Sequence, residues 1–427
     1  MLGALGGEGV LASEIDPHAR DVYAQNWGIK PEGDIIQLVE QHLDRVPEHT
    51  VLAGGFPCQP FSKSGYQKGM AEHRGMLFHE IVKILKARRP AVVMLENVRN
   101  IAGPRQRETW DAIIGGLRGA GYRVPSDPCT FSPHLLPPQR GGSPQIRDRV
   151  YIMGTYVGRR RSRKEVDIEP VVRREPWPGW DPTSWDFVKH VTSSTPRSGL
   201  GKYHITREEE EWILTWNDFL VRIGDAPLPG FPFWSSYWND SAQVDRHAPQ
   251  WKQYYEQKNI DFYRAHRREI RAWLRANPQL RSFPPSRQKL EWQAQDSVRD
   301  LRACLIHFRP SGIRVKKPTY SPALVAMADT QTPIIGPLAR RITTGEAARL
   351  QGFPEWFEFG EQAESKTYKQ LGNAINIGAA YHVFREHVLR DQEDIAATLD
   401  GSALVQAVLT SSDCPLLTRP IDDVGVG

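Results

Sequence analysis

"RGMLFHEIVKILKARRPAVVMLENV", residues 74–98, decides the fold. Leu77, Ile81 and Leu85 recur at a spacing of four, one face of a helix, and Pro90 stops it. The run that follows, "AVVMLENV" (91–98), is short and apolar on both faces, the pattern of a fully buried strand. "GVLASEID" (9–16), "TVLAGGFP" (50–57) and "DRVYIMGTYV" (148–157) look the same, and "RETWDAIIGGLRGAGY" (107–122) is a second helical stretch ending in glycines. Strands alternating with helices predict an α/β fold, a parallel sheet with helices on both faces. Ligands of such sheets gather at the carboxyl ends of strands. Glu14, Cys58 and Glu96 sit at or just past such ends.

The 427 residues allow two or three domains. The four cysteines, Cys58, Cys129, Cys304 and Cys414, form no CxxC pair, which argues against a disulfide framework or zinc and for a reducing cytoplasm. No long apolar run suggests a membrane span, and the first residues do not read as a signal peptide. The net charge of +5 permits a polyanionic partner without requiring one.

Composition changes after residue 157. Residues 158 to about 330 open with the basic run "GRRRSRKEVDIEPVVRRE" and hold most of the tryptophans. "TREEEEWILTWNDFLVRIG" (206–224) predicts a helix with a capping box from Thr206 and Glu209 and a stop at Gly224. "NIDFYRAHRREIRAWLRANP" (259–278) predicts one amphipathic helix, Tyr263, Ile270 and Trp273 on one face and Arg264, Arg268, Arg271 and Arg275 on another. That stripe is either a solvated face or a surface that tracks phosphates.

"AGGFPCQPFSKSG" (53–65) sets Cys58 between Pro57 and Pro60 and just after Gly54 and Gly55. Burial as a small hydrophobe suits Cys129 and Cys304. For Cys58 the stiff loop and the nearby glycines suit a held nucleophile better.

"GGFPCQPFS", "LENVRN" (95–100), "PQIRDRVYIMG" (144–154), "RRITTGEAARLQGFP" (340–354) and "YKQLGNAINIG" (368–378) occur in that order. Together they resemble the successive motifs of the DNA (cytosine-5) methyltransferases, mostly bacterial enzymes of restriction–modification systems. The resemblance covers roughly residues 8–157 and 335–390. It implies a Rossmann-like sheet that binds S-adenosylmethionine, a smaller target-recognition domain, and double-stranded DNA as substrate for a monomer that needs no metal. Cys58 then adds to cytosine C6, Glu96 bonds N3 and the exocyclic amine, and Arg149 holds O2, with Gln145 and Arg147 in support. Ser62 and Lys63, in the loop after Cys58, would meet phosphates of a flipped-out cytosine's strand. Glu14 matches the ribose-binding acid, Asp34 lies near the adenine, and Asn373 closes the cofactor site.

"GALGGEG" (3–9) imitates the family's glycine loop, but Gly7 lies too close to Glu14 for a helix and return strand. The resemblance therefore implies that the first strand and glycine loop are truncated. The implied domains are 1–157 (catalytic), 158–334 (recognition), 335–395 (completing the catalytic domain) and a tail, 396–427. The competing readings are a truncated, catalytically impaired DNA-binding remnant and an RNA cytosine-5 methyltransferase. A cysteine hydrolase using His73 or His79 leaves "ENV" and "QIRDR" unexplained.

Overall fold

The computed structural model describes residues 1–57, 72–195, 198–224, 226, 228, 230–295, 299–326 and 332–415, with backbone alone for 72–76. Two compact units emerge, one of Met1–Pro182 with Ala348–Gly427, the other of Thr183–Ala347. The divisions fall at 182/183 and 347/348, not at the expected 157/158 and 334/335. Residues 158–182 stay with the first unit because Val171, Val172 and Trp177 pack on its core.

Residues 9–16 were expected as a strand, and the structure corrects this. Among the described residues a single bridge forms there, Ser13 to Glu32, while Val10 and Ile15 are exposed and Asp16 caps the helix α1, Pro17–Trp27. The helix α2, Ile35–His42, is capped by Asp34. The strand β1, Val51–Gly55, leads by way of the helix α3, Glu72–Arg88, to β2, Val92–Val98, and the two strands are parallel. The helix α4, Arg107–Ala120, ends on Gly121 at φ 103°, a left-handed conformation open to glycine. Short strands β3 (Tyr122–Arg123) and β4 (Cys129–Phe131) then lead to β5, Arg149–Tyr156. β5 runs antiparallel to β2, β3 and β4, so the sheet is mixed, not parallel. A run apolar on both faces reports burial, and burial does not distinguish strand direction.

In the second unit the helix α5, Arg207–Ile223, carries the Thr206–Glu209 capping box, both bonds present. β6, Phe233–Trp234, precedes two helices where one was expected: α6, Gln250–Ala265, and α7, Arg267–Ala276, broken at His266. β7 (Lys289–Gln293), β8 (Leu305–Arg309), β9 (Gly312–Lys316), β10 (Ile334–Ile335) and β11 (Arg340–Arg341) complete a six-stranded sheet ordered β11–β10–β8–β9–β7–β6. Trp216, Phe219 and Trp273 of the helices pack with Leu290, Trp292, Ile306, Phe308, Ile313 and Val315 on one face of that sheet.

The chain then returns to the first unit through α8 (Glu364–Asn373), α9 (Ile377–Arg390) and α10 (Gly401–Thr410). Residues 401–410, expected in a tail, form a helix because Val405 and Val408 join the buried cluster. The first sheet is thus covered on both faces. Phe78 and Leu85 of α3 and Ile113 and Leu117 of α4 cover Val93 and Leu95, while Val383 and Phe384 of α9 cover Val92 and Met94. Among the described residues no helix is long and apolar enough to cross a membrane, and no group of His, Cys, Asp and Glu could hold a metal ion.

Candidate active site

Alternation along β2 places the site. Val92, Met94, Glu96 and Val98 share one face, and across β5 they meet Thr155, Met153, Tyr151 and Arg149 in register. The row is apolar through Met94 and turns ionic at the carboxyl end of β2. There Arg149 Nε lies 2.8 Å from Glu96 Oε1, with side-chain exposures of only 15% and 18%. Burial raises the Glu96 carboxyl above the ordinary carboxylate range, against the opposing charges of Arg149 and Arg147. Gly55 faces Glu96 from β1.

The opposite face of β2 holds the segment that leads to Cys58 at Phe56. Asn97 is buried and donates from Nδ2 to the carbonyl of Phe56 at 2.7 Å, just before Pro57 and Cys58. Cys58, Ser62 and Lys63 themselves lie outside the described residues.

Arg147 is 1% exposed. It donates from Nη2 to the carbonyls of Gly372 at 2.8 Å and Ala374 at 2.7 Å, one on either side of Asn373. Its amide donates to Ser132 Oγ at 2.9 Å. Burial, and then the like charge of Arg149, lowers its guanidinium to about 10, which leaves it charged at neutral pH. Asn373 is exposed at the end of α8. Gln145 is fully buried, and neither atom of its side-chain amide has a hydrogen-bond partner among the described residues.

Glu14 and Asp34 lie on adjacent segments, joined by the Glu14 amide to the Glu32 carbonyl at 3.0 Å and by Ser13 Oγ to the Gly33 carbonyl at 2.8 Å. Glu14 is exposed, one of its carboxylate oxygens accepting from the Asp16 amide. Asp34 accepts from the Ile36 amide at 2.9 Å as the cap of α2. The arginine stripe is divided by the break at His266. Arg264 on α6 lies 3.7 Å from Asp261, and Arg271 on α7 pairs with Asp240 and donates to Tyr263. Arg268 and Arg275 are exposed on α7.

Sequence reasoning missed Asn97 and Tyr151. Asn97 stood in the quoted "ENV", where its position next to Glu96 puts it on the other face. Tyr151 is two residues past Arg149 and so shares its face; it is 1% exposed, with a hydroxyl that has no hydrogen-bond partner among the described residues.

A mixed sheet covered by helices on both faces, with an acid–arginine pair at a strand end, defines an α/β protein with a polar site at the edge of its core. The sequence profile of C-5 cytosine-specific DNA methylases matches residues 2–388. The chain belongs to that family and is a DNA cytosine-5 methyltransferase. It is 40% identical to the Type II methyltransferase M.AluI of Cellulosimicrobium cellulans, over 96% of this chain and 93% of that protein. It is also 38% identical to M.HhaI of Haemophilus parahaemolyticus, over 36% of this chain and 43% of that protein. A crystal structure described as a prophage DNA modification methyltransferase of E. coli shares the fold with a TM-score of 0.50 at 20% identity, covering 91% of this chain and 94% of that one.

Proposed function

We propose that this chain methylates C5 of cytosine at a specific sequence in duplex DNA, by covalent catalysis through Cys58 on a base turned out of the stack. The observation that carries the reading is the half-buried Glu96–Arg149 pair at the end of β2, beside the anchored start of the Cys58 loop. Cytosine C5 is a poor nucleophile. Addition of the Cys58 thiolate to C6 makes C5 the nucleophilic end of an enamine. A carboxyl raised by burial suits Glu96 to hold a proton for N3, so that the ring accepts the electron pair of the new C–S bond. Arg149 would hold O2 and stabilise the charge on the ring, while Gln145 and Arg147 would support that arrangement. Loss of the C5 proton to a base then lets the C–S bond break and returns Cys58 as thiolate.

S-adenosylmethionine would supply the methyl group. The residues present fit it: the exposed Glu14 carboxylate can accept from ribose hydroxyls, and Asp34 lies on the adjacent segment. Arg147 holds the backbone around Asn373, the residue expected to close that site. Ser62 and Lys63 would meet phosphates near the flipped base, and residues 183–347 would serve as the recognition domain. Protection of host DNA in a restriction–modification system is supported by the Type II relative that the chain matches over nearly its whole length.

Labelled methyl transfer to duplex DNA tests the reading. Cys58→Ser is expected to abolish transfer while leaving DNA binding largely intact, and 5-fluorocytosine in the duplex is expected to trap the parent enzyme covalently. Normal turnover by Cys58→Ala would overturn the mechanism.

A further inference from the structure

The two faces of the sheet in the second unit differ sharply. One carries Leu290, Trp292, Ile306, Phe308, Ile313 and Val315 against the helices. Alternation and register put a different set on the other. Glu291, Arg314 and His307 form one row across β7, β9 and β8, with Lys316 beside it on β9. Lys289 and Arg309 flank Gly312 in the next row. A Cβ at Gly312 would sit 3.0 Å from that of Lys289, so the bare backbone is what lets the row close up.

Among the described strand residues, charge on this face does not balance. Arg314 Nε lies 2.9 Å from Glu291 Oε2 and Arg309 Nη1 lies 3.6 Å from the same oxygen. Glu291 is the one acid among the described strand residues of the face, against Lys289, Arg309, Arg314 and Lys316. Burial, and then Arg314, lowers Arg309 and Lys316 from their ordinary range despite Glu291. Two of the cations lie over aromatic rings, Lys289 over Trp234 at 5.3 Å and Lys316 over Tyr320 at 5.4 Å. His307 is 5% exposed, and neither ring nitrogen has a hydrogen-bond partner among the described residues. Burial and the surrounding cations lower it to about 3, so it stays neutral and adds no charge. Clustered cations with too few acids, beside a polar ring without a hydrogen-bond partner, leave this face short of anions among the described residues.

We propose that this face, through Lys289, Arg309, Arg314 and Lys316, holds the phosphodiester backbone of the duplex substrate, and that the arginine stripe on α7 does not. The two surfaces lie on opposite sides of the unit. Ile270 and Trp273 of α7 are buried in the core on the apolar side of the sheet, so Arg268, Arg271 and Arg275 project away from it. The α7 stripe is also partly neutralised within the protein, where Arg267 and Arg271 share Asp240. The proposal rests on the reading that the chain works on duplex DNA.

The test is the salt dependence of binding to a random-sequence duplex. Each lost phosphate contact makes the log–log slope shallower by about 0.9. Arg309→Gln with Lys316→Gln is expected to flatten the slope by about two contacts' worth, while Arg309→Lys with Lys316→Arg keeps it. Arg268→Gln with Arg275→Gln is expected to leave it unchanged. An unchanged slope in the first pair, or an equal loss in the α7 pair, overturns the proposal. Should the first pair lose its thermal unfolding transition, Lys289→Gln decides alone, with a slope shallower by about 0.9 for and an unchanged slope against. A parent chain that binds no duplex would instead defeat the underlying reading of function.

Discussion

Arg149 Nε sits 2.8 Å from Glu96 Oε1, two side chains that meet diagonally across antiparallel strands at the end of an otherwise apolar row. The pair is half of a device. Burial alone raises the carboxyl, and the arginine keeps the raised group from being an unpaired charge.

Glu96→Gln is expected to slow single-turnover methyl transfer by roughly 10²–10³-fold, the cost typical of one preorganised group facing developing charge. Rapid-quench measurement with saturating duplex checks it. A change of less than tenfold would make Glu96 scaffolding.

The pH dependence of stability follows from the same carboxyl. Its value in the fold is raised, so Glu96 contributes stability below the unfolded value of about 4.3, and that contribution is lost as pH rises through the folded value. The glutamine variant carries no such loss. Its melting temperature relative to the parent is expected to climb as pH rises from about 4.3, as thermal scans in buffers above that value would record.

Asn97→Ala removes the donor that holds the Phe56 carbonyl and leaves that acceptor unsatisfied beside buried Phe56. A loss of about 1–3 kcal/mol in urea unfolding is expected. Because the anchored carbonyl immediately precedes the Cys58 loop, transfer should slow more than DNA affinity falls. Equal falls in both would assign Asn97 to the core alone.

Arg147→Met keeps approximate volume and deletes the bonds to Gly372 and Ala374. Two buried carbonyls lose a charged donor, so a destabilisation of about 3 kcal/mol or more is expected. Binding of S-adenosylmethionine, measured by calorimetry below the unfolding range, should weaken because the backbone around Asn373 is no longer held.

Much of the site was legible for chemical reasons. A cysteine between prolines and a carboxylate ending an apolar strand are costly unless used, and five motifs in order left one family resemblance. What was not legible depended on partners far along the chain. The cap that Asp34 places on α2 depends on where that helix begins. Arg264 and Arg271 read as one stripe until His266 divides the helix. The neutralising role of Asp240 toward Arg267 and Arg271 joins residues about one helix apart in sequence, with no periodicity linking them.

By itself the sequence determined most of the alternation of buried strands and helices, the α5 cap and the place of Glu96 near the end of β2, because these depend on local period and on the chemistry of single residues. Only the tertiary structure decided the antiparallel direction of β5, and so that Arg149 reaches Glu96. It also decided which face of the second sheet gathers Lys289, Arg309, Arg314 and Lys316. Strand direction and register are set by which neighbour a strand pairs with, and that choice is made by the packing of the whole core.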